Sequence, residues 1–99
     1  MKSVKDFFAG IENGLADHNT QLYIRKDNEE DKICFATSFG LEWDGYISRL
    51  KWTDLKEQEE RGILEVYEIG NSVALEWHWP SGKSSRYIFT LKKDIKFKY

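Results

Sequence analysis

Apolar and polar positions alternate with period two through much of this chain, and the clearest run is Ser72–Leu91, SVALEWHWPSGKSSRYIFTL. It predicts two strands joined by the loop Pro80–Ser84. With Trp79 opposite Ser85, Trp77 meets Tyr87, Leu75 meets Phe89 and Val73 meets Leu91, and every large apolar side chain falls on one face. A slip of one residue would turn those aromatics to the opposite face, so the pairing is strongly specified.

Near the amino terminus the period becomes helical. Ser3-Val4-Lys5-Asp6 has the form of a capping box, and Val4, Phe8, Ile11 and Leu15 follow at spacings of four, three and four. A helix is predicted from Val4 to Asp17, stopped at His18-Asn19, with Gly10 and Gly14 allowing close approach to a sheet. Thr20–Lys26 reads as a strand, and Asp27–Asp31 as an acidic connection. Lys32–Trp43 reads as one long strand with a bulge at Gly40, ending in the hairpin signal Asp44-Gly45. Ile33, Phe35, Phe39, Leu41 and Trp43 then share a face, with Tyr46, Leu50 and Trp52 opposite them.

Thr53–Gly62 predicts a short, mostly exposed second helix over residues 53–61, capped by Thr53 and stopped by Gly62. Ile63–Ile69 is a strand, and the Gly70-Asn71 turn sets Leu64 and Val66 beside Trp77 and Leu75. Ile95, Phe97 and Tyr99 alternate with Lys96 and Lys98, which predicts a terminal edge strand with lysines outward. The fold class is therefore α+β: an N-terminal helix packed on a strongly curved antiparallel meander of about six or seven strands.

Length and composition narrow the function. Ninety-nine residues form one domain, and 15% aromatic content favours a β-rich core. The single cysteine, Cys34, excludes an internal disulfide and a multi-thiolate zinc site. MKSVKDFFAG lacks the long apolar stretch of a secretory signal, and no apolar run approaches the ~20 residues of a membrane span. The expectation is a cytoplasmic protein that does not engage a membrane.

The net charge of −2 hides an uneven distribution. Residues 27–68 carry twelve acids against five bases, whereas residues 83–99 carry six bases against one acid. Catalytic motifs are scarce beside this polarity. Cys34 alternates with Phe35 and reads as a core residue. His78, between Trp77 and Trp79, faces away from the aromatics near Glu76 and Arg86, the kind of set a metal-independent nuclease uses. No spacing of histidine, cysteine and carboxylate matches a known metal pattern, and Asp27–Asp31 lacks the glycine of a calcium loop. Pro80-Ser-Gly-Lys83-Ser84 has one glycine and a following strand, so it is not a phosphate-binding loop.

These features predict a protein–protein interaction module without enzymatic activity, cofactor or metal. Its specific form is a small stoichiometric inhibitor or immunity-type protein that binds the basic surface of a nuclease or other nucleic-acid-handling partner. The acidic face would comprise Glu29, Glu30, Asp31, Asp54, Glu57, Glu59 and Glu60. Trp43, Tyr46 and Trp79, at hairpin tips, are expected to be partly exposed beside it. The alternative is nucleic-acid binding through Lys92, Lys93, Lys96 and Lys98.

Overall fold

Ser3 sets the start of the first helix, α1 (Val4–Leu15). Its hydroxyl accepts from the Asp6 amide at 3.0 Å while the Asp6 carboxylate accepts from the Ser3 amide, the reciprocal cap that the sequence predicts. The computed structural model describes residues 2–93, without the side chains of residues 46–48. The predicted strand at Ile95, Phe97 and Tyr99, with Lys96 and Lys98, lies outside the described residues.

Seven strands follow among the described residues: β1 (Thr20–Lys26), β2 (Lys32–Ala36), β3 (Gly40–Trp43), β4 (Tyr46–Lys51), β5 (Leu64–Ile69), β6 (Ser72–His78) and β7 (Ser84–Lys93). A second helix, α2 (Trp52–Glu60), separates β4 from β5. All pairings are antiparallel, in the order β4-β3-β2-β1-β7-β6-β5. Two meanders, β1–β4 and β5–β7, are thus zipped together by β1 and β7 and curl into a half-barrel. The predicted α+β class holds.

The concave face carries the core: Leu22 and Ile24 from β1, Cys34 from β2, Leu41 and Trp43 from β3, Val66 from β5, Leu75 and Trp77 from β6, and Phe89 from β7. α1 covers it with Val4, Phe7 and Ile11. Phe7, rather than Phe8, is the buried aromatic of the helix. Phe8 stands at the edge of the stripe, its ring 4.7 Å from that of Trp52. Gly14 makes the predicted close approach, against Leu91, while Gly10 faces open space.

Lys32–Trp43 is not one strand. Thr37 accepts from the amides of Phe39 and Gly40 through its hydroxyl, and its own amide donates to the Gly40 carbonyl at 2.8 Å. This side-chain turn folds β2 back onto β3. The reversal separates the apolar set predicted to share a face: Leu41 and Trp43 point into the core, while Ile33, Phe35 and Phe39 are exposed. Trp43 is accordingly buried, contrary to the expectation of partial exposure.

Two further expectations shift. The β6–β7 hairpin pairs Trp77 with Ser85, Leu75 with Tyr87 and Val73 with Phe89. That is a two-residue displacement from the predicted register, and an even displacement leaves each side chain on its own face. Thr53 does not cap α2. The helix begins one residue earlier, at Trp52, with no side-chain cap, because the Trp52 amide donates to Phe39 O at 3.0 Å and its indole to Thr37 O at 2.9 Å. Its carboxyl end closes as predicted, with Gly62 at φ +74°, Gly62 N–H on Glu59 O and Ile63 N–H on Gln58 O.

Asp44-Gly45 forms the expected tight turn, both residues at positive φ, joining Trp43 to Tyr46. Gly40 serves close backbone packing. A Cβ there would collide with the Leu50 carbonyl and lie 2.8 Å from Lys51 Cα. Gly40→Ala is expected to lower stability by about 2 kcal/mol, whereas Gly10→Ala, on an open helix surface, should raise it by about 0.5–1 kcal/mol. Urea denaturation of the two variants reads the opposite signs.

Candidate functional site

The open end of the half-barrel holds two adjoining clefts, of about 310 and 170 Å³. They share Lys26, Arg49 and Tyr87. Tyr87 forms their common floor, its ring edge-on to Trp43 at 5.5 Å and to Trp77 at 5.8 Å. Strand pairing places it there, since Tyr87 lies opposite Lys26 on β1 and Leu75 on β6. The Arg49 guanidinium lies over Trp43, 4.8 Å from the ring centre.

The walls come from distant parts of the chain. Trp77 donates its indole N–H to Gln58 of α2 at 2.7 Å, which fixes one side of the larger cleft. Asp54 and Leu55 of α2 extend that side, and Trp79, 38% exposed, also lines the cleft. The smaller cleft is bounded by Glu29 and Glu30 from the β1–β2 loop and by Trp43 and Asp44. Asp44 is paired with Lys32 at 2.9 Å and approached by Arg49, and this hydrogen bond raises the Lys32 pKa.

Of the residues singled out from the sequence, Glu29, Glu30, Trp43, Asp54 and Trp79 meet around these clefts. The others are placed elsewhere. Glu59 turns inward and accepts from the Val4 amide at 2.8 Å, satisfying a free N–H at the start of α1. Glu57 pairs with Arg61 one turn on, and Asp31 with Lys92 and Arg25. Glu60 is exposed at the far end of α2. The Tyr46 side chain lies outside the described ones. Arg25, Lys26, Lys32, Arg49 and Lys51 line the same two clefts as Glu29, Glu30, Asp44 and Asp54, so the site is a mixed-charge, aromatic-walled cleft rather than an acidic face.

Sequence reasoning missed Lys26, Arg49 and Gln58. Tyr87 had a local signal, since the hairpin alternation already put it on the aromatic face. Lys26 and Arg49 join it only through the β1–β7 and β3–β4 pairings, between residues remote or irregular in sequence.

On the outer face lies a second polar group. The His78 imidazole Nε2 is 3.0 Å from Glu65 Oε1 and 3.9 Å from Glu76 Oε2. The Tyr67 hydroxyl donates to Glu76 Oε1 at 2.6 Å, which raises the Tyr67 pKa, and Arg86 donates to Tyr67 at 3.2 Å and to Asp27 at 2.7 Å. This gathers the His78, Glu76 and Arg86 set anticipated from the sequence and adds Glu65 and Tyr67. It stands on open sheet surface, away from the clefts just described. The candidate nucleic-acid lysines are paired where described, Lys92 with Asp31 and Lys93 with Asp17.

Cys34 is 1% exposed, and burial pushes its thiol pKa up to about 12. No helix among the described residues is long and apolar enough to cross a membrane. No family model matches the sequence, and no curated protein or solved structure matches it significantly.

Two predictions follow from these placements. Cys34 should resist a disulfide reagent at pH 8 in the folded protein and react fully in guanidinium; rapid labelling without denaturant would show the strand to be misplaced. Glu59→Ala should lower stability by about 1–2 kcal/mol through the lost bond to the Val4 amide, as read by thermal unfolding, and leave the clefts intact.

Proposed function

We propose that this chain is a non-enzymatic protein-binding module. In specific form it is a small stoichiometric inhibitor, of the immunity-protein kind, acting on a nuclease or other nucleic-acid-handling protein with a basic surface. The observation that carries this reading is the convergence at one end of the half-barrel. Trp79, Tyr87 and Arg49 supply the residue types that dominate binding energy at protein interfaces. Glu29, Glu30 and Asp54 stand around them on two separate chain segments.

Division of labour follows from the physics. A side chain of the partner enters between Trp79 and the Tyr87 floor and supplies most of the affinity through desolvated contact. Glu29, Glu30 and Asp54 at the cleft mouths draw in basic groups of the partner and raise the association rate at low salt. Lys26 offers a donor for a backbone carbonyl of the inserted segment.

Affinity capture from nuclease-treated host lysate, followed by mass spectrometry and kinetics on the purified partner, tests the reading. The wild-type chain should retain one stoichiometric protein. Trp79→Ala should speed its dissociation at least tenfold, and the triple reversal Glu29→Lys, Glu30→Lys, Asp54→Lys should slow association by a similar factor at low salt. Glu57→Lys, outside the clefts, should change neither rate. Unchanged kinetics in both cleft variants would place the interface elsewhere, and capture lost on nuclease digestion would favour a nucleic-acid ligand.

A further inference from the structure

We propose that Glu65, Glu76 and His78 on the outer face of the β5–β6 hairpin form a binding site for a divalent transition-metal ion, with zinc the natural occupant. The site is separate from the clefts and does not depend on the protein-binding reading. Strand register builds it. Glu65 lies directly opposite Glu76, and His78 follows two residues later on the same face. One donor atom from each residue falls within 4.8 Å of the other two.

Chemistry and geometry both suit the ion. An imidazole nitrogen with two carboxylate oxygens is a mixed N/O set, which borderline metals accept and which magnesium and calcium, with their all-oxygen preference, do not. Bonds of about 2.0–2.1 Å in a tetrahedron put donors roughly 3.3 Å apart. His78 Nε2 and Glu65 Oε1 share a hydrogen bond at 3.0 Å and Glu76 Oε2 lies 3.9 Å from the same nitrogen, separations that bracket that distance once the ion displaces the shared proton. Three protein ligands leave a fourth position for water, as in zinc sites that keep an open coordination position.

The surroundings point the same way. Two carboxylates directly opposite across a strand pair repel one another, and a cation between them removes that repulsion. Tyr67 holds Glu76 Oε1 with a short hydrogen bond and so turns Oε2 toward His78. Such an outer partner fixes ligand orientation in metal sites. Arg86, although in register with Glu76, directs its guanidinium to Tyr67 and Asp27. Its charge therefore braces the tyrosine rather than occupying the place of the metal.

The test is calorimetric titration of the tag-free 99-residue chain with zinc chloride, then with magnesium chloride, alongside His78→Ala and Tyr67→Phe. Zinc should bind once per chain and magnesium should give no comparable heat. His78→Ala should abolish the binding, and Tyr67→Phe should weaken it by about tenfold with an unchanged circular dichroism spectrum. Absence of zinc binding, equal binding by His78→Ala, or an equal response to magnesium would each overturn the assignment.

Discussion

A curled antiparallel sheet with open edges holds its shape only if something ties the two edges together, and here the tie is α2. This nine-residue helix leaves the β4 edge and delivers the chain to the β5 edge. Its own sequence is poor in apolar residues, so isolated helix propensity cannot hold it. It is held by four attachments: the Trp52 indole on the β2–β3 turn, Leu55 in the core, Gln58 on Trp77, and Glu59 on the first turn of α1. Each lies on a different neighbour. Helix position, sheet curvature and the docking of α1 are consequently one mechanical problem.

That arrangement also determines where the chemistry can lie. With α1 over the middle of the concave face and α2 bridging its edge strands, the end lined by Trp43, Trp77 and Tyr87 under the polar rim stays open. The acidic residues divide accordingly. Glu59, Asp31 and Asp44 are engaged by groups of the same molecule, whereas Glu29, Glu30 and Asp54 border the clefts. Acidic character read along the sequence thus separates into carboxylates that bond within the fold and carboxylates that stand at the cleft mouths. The outer face of β5 and β6, opposite in side-chain parity to the aromatic core, collects the other polar cluster at Glu65, Glu76 and His78.

Local pattern made a large share of this legible. Thr20–Lys26, the Asp44-Gly45 and Gly70-Asn71 turns, the α1 cap and the Leu64/Trp77 pairing all follow from short-range chemistry and match the structure. That last pairing already implies Glu65 opposite Glu76, so the histidine–carboxylate cluster was contained in the strand register although no sequence spacing announces it. Failures came where one polar side chain outweighs an apolar run. Thr37 reverses the chain inside Lys32–Trp43 and sends Ile33 and Phe35 outward, and Trp52 starts α2 because its indole and amide both find carbonyls in that same turn. The clefts were beyond sequence reasoning for a different cause: Lys26, Arg49 and Tyr87 are brought together by long-range pairings and irregular registers.

Hydrogen exchange on Leu55→Ala examines the α2 tie most directly. Leu55 is 1% exposed, and its truncation should cost about 2–5 kcal/mol. If α2 holds the two edges together, amides of β4 and β5 lose protection in concert while the β1–β7 pairing in the middle of the sheet keeps most of its own. Loss confined to α2, with both edge strands as protected as in the wild type, would show that the sheet holds its curl unaided and would contradict the account.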